Sequence, residues 1–352
     1  MDQRAAGGAG AGERAAAARP SLSSDRLGAS FSPRRARAQG LDPLTALRRL
    51  LRLELSPVRL SVFWDEVDSA GYAATDGLLG EVERAGREVV LTVGMKAQGW
   101  PEFAIPERLT PAAPVGTDVA AGAPALRAAV LELVQATVER YRRVRSVLAW
   151  QVENEPLNRS GPRRWWIDPE LLREELAVAR RSDPTRPAVV NVFAAFDPWR
   201  DVAASRHGLR RLLGRDAHVP EAEALALLAP GDVLGLDVYR RIGYRGTRGG
   251  RRFATSRRWA SNAARWRRRA LAAGRDCWIV EAQAEPWEPA GGPKESPASC
   301  RPQDVVETVE TLRRTAGYRT ILLWGVEHWM AREAAGDDSW MRAIERLQQP
   351  SG

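Results

Sequence analysis

Short runs of consecutive apolar residues alternate along this chain with longer stretches in which apolar residues recur every three or four positions. The short runs predict strands at Arg26–Phe31, Val58–Phe63, Glu88–Val93, Ser146–Val152, Ala188–Phe193, Asp232–Val238, Asp276–Val280 and Thr320–Trp324. The periodic stretches predict helices between them. Pro43–Leu53 carries Leu44, Leu47, Leu50 and Leu51 at helical spacing, and Pro124–Arg142 carries Leu126, Val130, Leu133 and Val134. Further helices are expected at Thr75–Ala85, Pro169–Arg181, Pro220–Leu228, Ser256–Ala273, Pro302–Thr315 and Asp338–Leu347. Several start on proline, which suits the first helical position, and Asp42 and Asp168 precede two of these prolines as caps.

Strands that are apolar on both faces suit a parallel sheet covered on both sides. Eight strand–helix units over residues 25–348 predict a single α/β domain, a closed (β/α)8 TIM barrel. An open doubly wound sheet would usually carry a glycine-rich phosphate loop after its first strand. Here that position reads FSPRRARAQG, without one. Residues 1–24 are rich in Ala, Gly and Arg, offer no apolar stripe to bury, and are expected to form a disordered tail.

Composition narrows the partners. The formal charge is +9, which invites a nucleic-acid reading. Of the 53 basic residues, however, all but Lys96 and Lys294 are arginine. That usage, with abundant Ala and Gly, reads as coding bias, so neither nucleic acid nor membrane is expected as a partner. The basic helix Ser256–Ala273 places Trp259 and Trp266 on one side and reads as an outer barrel helix with solvated arginines. Two cysteines and three scattered histidines give no metal-ligand spacing, so neither metal nor cofactor is expected. No apolar run is long enough to span a membrane and residues 1–24 lack the apolar core of a secretory signal, which makes the cytoplasm the default location.

The C-terminal strand ends of such a barrel carry its chemistry. Glu155 follows the fourth strand and Glu281 the seventh, so the two carboxylates can face each other across the mouth. Tryptophans crowd the same end: Trp64, Trp100, Trp287, Trp324 and Trp329. Flat indoles stack on the apolar faces of sugar rings, and a pair of carboxylates is what glycoside hydrolysis requires.

The segment WQVENEP (Trp150–Pro156) resembles the fourth-strand Asn-Glu-Pro motif of the clan A glycoside hydrolases, and WIVEAQ (Trp278–Gln283) resembles their seventh-strand nucleophile motif. The resemblance covers residues of about 27 to 345. It implies a retaining glycosidase with Glu155 as acid/base and Glu281 as nucleophile. It also implies that Arg59 and Tyr239 lie beside the nucleophile, that Asn154 binds the sugar hydroxyl next to the reacting carbon, and that Trp324 lies under the reacting sugar. Trp100, Gln283, Trp287, His328 and Trp329 are candidate sugar contacts from the loops. Glu153 and Glu285 are the nearest competitors for the two catalytic roles, and Lys96 reads as a surface charge. The expected carboxyl separation is about 5–5.5 Å, whereas ~6.5–9.5 Å would indicate an inverting pair such as Glu155 with Glu285. A barrel that binds carbohydrate without cleaving it stays open, as does a basic nucleic-acid-binding protein. Sugar, linkage, endo or exo action and oligomeric state are not legible.

Overall fold

The computed structural model describes residues 25–194, 219–245, 251–254, 257–288 and 297–349. The 1–24 tail, His207, His218 and Lys294 lie outside the described residues. Eight parallel strands close into a barrel. Six run in order: β1 (Arg26–Ser30), β2 (Val58–Ser61), β3 (Val89–Val93), β4 (Val147–Val152), β5 (Ala188–Phe193) and β6 (Val233–Val238). A separate antiparallel hairpin follows, β7 (Ile242–Arg245) with β8 (Arg251–Ala254). β9 (Asp276–Gln283) and β10 (Thr320–Trp324) then complete the ring back to β1.

The first six helices are α1 (Pro33–Ala38), α2 (Pro43–Arg52), α3 (Trp64–Ala70), α4 (Ala73–Arg84), α5 (Pro124–Tyr141) and α6 (Pro169–Ser182). After them come α7 (Pro220–Leu227), α8 (Trp259–Ala272), α9 (Pro302–Arg314), α10 (Val326–Ala334) and α11 (Ser339–Gln348). The two expected caps form: Asp42 accepts the Thr45 N–H at 2.8 Å and Asp168 accepts that of Glu170 at 2.9 Å. Three helices and the hairpin were not in the sequence pattern. α1 has no apolar stripe and starts on a Ser32 cap. α3 continues directly from the second-strand segment, which stops at Ser61 rather than Phe63. α10 buries Val326, Glu327, His328, Trp329, Met330 and Arg332, charged residues included, so its buried face is not written as an apolar stripe. Leu44, expected on the buried side of α2, is exposed.

Alternation along each strand divides the core in two. Leu91, Trp150, Val190, Leu234 and Ile279 pack outward in the shell shared with the helices. Val90, Ala149, Val189, Val233, Trp278 and Val280 form a distinct inner cluster. Continuing on the inner side toward the strand ends, the residues turn polar: Thr92 after Val90, Gln151 after Ala149, Asn191 after Val189, and Asp237 after Val233 and Gly235. All four are buried. Gly235 is required there, because a Cβ would meet Val280 Cγ2 at 2.7 Å and Asn191 Cβ at 2.8 Å. The barrel is thus apolar below and polar above, and the polar layer is the floor of the candidate site.

Candidate active site

The fourth strand ends at Val152, and the next three residues form a tight turn. Glu153 and Glu155 both adopt positive φ, 62° and 45°. A non-glycine residue in this region costs of order 1–3 kcal/mol and needs surrounding structure to hold it. That structure is present. The Glu153 N–H bonds Val93 O at 2.8 Å, the Asn154 N–H bonds Lys96 O at 2.8 Å, and the Glu155 N–H bonds Asn191 Oδ1 at 2.8 Å. Lys96, expected as a surface charge, is fully buried. Its Nζ donates to Glu155 O at 2.6 Å and Asn158 O at 3.3 Å, and pairs with Glu102 at 3.3 Å. It is a clamp on the turn. No local cue marks it, because a lone lysine after a strand looks alike whether solvated or buried.

The turn also separates the two glutamates. Glu153 points away from the pocket and accepts the Met95 and Lys96 N–H groups at 2.8 and 2.6 Å. Gly94, at φ 126°, makes room, since a Cβ there would sit 2.2 Å from Glu153 Oε1. Glu155 is half-buried and lines a cleft of about 300 Å³ together with Asn154, Tyr239, Glu281, Trp100, Trp287 and Trp324. Glu153, the competitor two positions away, is turned from the cleft because strand alternation ends at Val152.

Glu281 lies within β9, which runs three residues further than expected. The register is irregular here: Leu236 pairs with Ile279 but Asp237 with Glu281, and Ile321 pairs with Ile279 but Leu323 with Ala282. An extra residue in β9 re-aims its side chains, as bulges near active sites commonly do. Both Glu281 oxygens are occupied. Arg59 Nη2 donates to Oε1, and the Tyr239 hydroxyl donates to Oε2 at 2.6 Å. Arg59 is fully buried and is itself aimed by Gln98 at 2.6 Å and Gln151 at 3.4 Å. Tyr239 is flanked by Phe193 and Trp287, with ring centroids 5.4 and 4.9 Å away.

One carboxyl oxygen each of Glu155, Glu281 and Asp237 lies within 4.8 Å of the others. Burial, then the charge of Glu281, pushes Glu155 up to about 7. Burial, then Glu281 and Glu155, pushes Asp237 well above the carboxylate range. Among the described residues this is the one acidic group close enough to surround a cation. Arg59 and Tyr239 already donate to the Glu281 oxygens, so the acidic group has a guanidinium beside it.

Other expected residues are placed differently. Gln283 is buried and bonds backbone, its Oε1 accepting Arg241 N–H at 3.0 Å. Trp329 is fully buried, with Nε1 on Ala284 O at 2.6 Å, and His328 is buried edge-on against Trp340. None of these three lines the cleft. Their spacing put them after a strand end, but β9 continues through Gln283, and α10 folds His328 and Trp329 into the core. Glu285 does line the cleft, accepting Trp324 Nε1 at 2.8 Å and pairing with Arg35. Arg35 lies 4.6 Å over the Trp324 ring and also bonds Glu327 at 3.3 Å. Arg35, Gln98, Gln151, Asn191 and Asp237 were missed. For the last three the available cue was a polar residue inside an apolar strand.

Several solved structures share this barrel. A GH5_18 protein from Bifidobacterium longum subsp. longum in complex with Manβ1-4GlcNAc aligns at TM-score 0.60 and 16% identity, over 92% of this chain and 77% of that one. A monomeric β-xylosidase from Caulobacter crescentus aligns at 0.58 and 15%, over 96% and 70%. The β-galactosidase from Rahnella sp. R3 aligns at 0.54 and 12%, over 94% of this chain, which spans only 57% of that protein's length. The fold is the barrel of these glycoside hydrolases. No protein family and no curated protein matches the chain by sequence. Among the described residues no helix is long and apolar enough to cross a membrane.

Proposed function

We propose that the protein is a retaining glycoside hydrolase acting by double displacement. The observation that carries this reading is the opposed pair at the mouth: Glu281 bonded on both oxygens by a guanidinium and a hydroxyl, and Glu155 lining the same cleft, where burial and the Glu281 charge push it up to about 7. A nucleophile must be ionised, and an acid/base must carry a proton when substrate arrives. One oxygen of each carboxyl lies within 4.8 Å of the other, close to the about 5–5.5 Å spacing of retaining pairs and below the ~6.5–9.5 Å of inverting ones. The barrel's likeness to β-galactosidase, β-xylosidase and GH5_18 structures supports a carbohydrate substrate.

In the first step Glu281 attacks the anomeric carbon while Glu155 protonates the departing glycosidic oxygen. In the second, Glu155 takes a proton from water, which displaces Glu281. Arg59 and Tyr239 keep Glu281 oriented. Asn154 has its carbonyl engaged by Asn191 Nδ2 at 3.1 Å, which leaves its NH2 group for the neighbouring sugar hydroxyl. Trp324 walls the reacting subsite, and the exposed Trp100 and Trp287 flank its entrance.

The test is incubation with activated 2-deoxy-2-fluoro gluco-, manno-, galacto- and xylosides, followed by intact mass and peptide mapping. An adduct on Glu281 is expected, and the reacting sugar names the subsite preference. An adduct on Glu285 or Glu153 would refute the assignment. Sugar binding to Glu155→Gln crystals, with no turnover of the same oligosaccharide by the wild type, would refute hydrolysis.

A further inference from the structure

Asp237 has no role in the scheme above, yet it stands inside it. It is fully buried and is brought abreast of Glu281 by the register shift between β6 and β9. Its Oδ2 accepts Asn191 Nδ2 at 2.6 Å. Its Oδ1 is buried and receives no donor from the described residues. The neighbour it faces is the carboxyl of Glu155, with one oxygen of each group within 4.8 Å of the other. Asn191 joins them from the other side, donating to Asp237 and accepting the Glu155 N–H at 2.8 Å. A buried acceptor whose neighbour is another carboxyl is satisfied only if one of the two carries a proton.

We propose that Asp237 and Glu155 form one proton-sharing carboxyl pair, in which Asp237 is the positioning residue that keeps a proton available to Glu155 at neutral pH. The proposal rests on the reading of Glu155 as acid/base. Two carboxylates in contact cannot both ionise cheaply, so the last proton leaves the pair at higher pH than it would leave either group alone. The surrounding charges do not cancel this. Arg59 faces Asp237 but is committed to Glu281, while Glu281 and Tyr239 add negative or neutral character. Lys96 faces Glu155, opposed by Glu102 and Glu281. When the shared proton rests on Asp237, one transfer between the two carboxyls returns it to Glu155. Glu155 then gives it to the leaving oxygen as the glycosidic C–O bond breaks and Glu281 bonds to carbon. Glu281 loses its negative charge as the pair gains one, so the charge of the cluster is unchanged through the step.

The experiment is a carboxyl 13C titration of full-length protein labelled at glutamate Cδ, with Glu155 assigned by its loss in E155Q. In the wild type its titration is expected to end near or above neutrality. In D237N the midpoint is expected about one pH unit or more lower. An unchanged midpoint would overturn the proposal. If D237N does not fold, E155Q labelled at aspartate Cγ gives the reciprocal reading: a buried aspartate that titrates high in the wild type moves down, or the pair does not exist. Once a reacting sugar is known, D237N should slow alkyl glycosides far more than dinitrophenyl glycosides, which need no acid. Equal slowing would assign Asp237 a packing role only. The titration needs no substrate. An adduct on Glu281 with no coupling defeats this proposal alone, whereas coupling with no turnover defeats the glycosidase reading alone.

Discussion

Glu175→Gln is expected to stabilise the protein at neutral pH, which is unusual for a change at a fully buried position. Glu175 lies on α6 with its side chain in the interior, and neither of its oxygens receives a donor from the described residues. It faces Glu153, whose two oxygens already accept the Met95 and Lys96 N–H groups. Glu175 is therefore the partner that carries a proton and donates it to Glu153. Burial, then the Glu153 charge, holds it well above its ordinary 4.5, and burial lifts Glu153 to about 7. In the unfolded chain both carboxyls ionise near 4.5. The folded state thus binds more protons than the unfolded one above that pH, and stability falls as pH rises toward the folded values. One retained proton costs about 1.4 kcal/mol per pH unit. Between pH 5 and 7, Glu175 removes stability at no more than about that rate, because the unfolded chain is still partly protonated at pH 5. Glutamine keeps a donor for Glu153 and never ionises. Urea unfolding followed by tryptophan fluorescence at several pH values gives the difference directly. The wild-type stability should drop relative to that of the variant by up to about 1.4 kcal/mol per pH unit across the interval. Parallel curves would refute the shared proton.

Three further outcomes follow from the site. With Glu155 near 7, its acid form is present below that pH and lost above it. On a substrate with a poor leaving group, kcat/KM should therefore fall as pH rises through neutrality, and a profile flat to pH 9 would exclude Glu155 as the acid. Arg59→Lys keeps the charge but cannot reach Glu281, Gln98 and Gln151 together. The rate of fluoro-sugar adduct formation should drop by about 10²-fold or more, and an unaltered rate would remove Arg59 from the site. Lys96→Met strips the Glu155 turn of its clamp and leaves Glu102 without its cation. A loss of about 2 kcal/mol is expected in denaturant unfolding, together with reduced kcat; an unaffected protein would show that the turn holds itself.

The sequence by itself determined the eight strands and the barrel, because strands buried on both faces are written as local apolar runs and helix starts as proline with a cap. It also determined the opposed glutamates, since strand order and strand ends are readable along the chain. Arg59 and Tyr239 were legible by the same logic, each lying on or just after a strand whose place in the ring was known. Only the tertiary structure decided which neighbours met. Asp237 became a third carboxyl because β9 holds an extra residue, and nothing local in DVLGLDV announces a register shift in a strand it has not yet paired with. Lys96 became a buried clamp, and Glu175 the buried partner of Glu153, through contacts 59 and 22 positions away that no spacing rule encodes. Gln283 and Trp329 went the other way, into hydrogen bonds with backbone, because a longer strand and a folded α10 turned them from the cleft. Periodicity along a chain fixes which side of an element a residue occupies; the charge and hydrogen-bond state of that residue depends on what closure of the barrel sets against it.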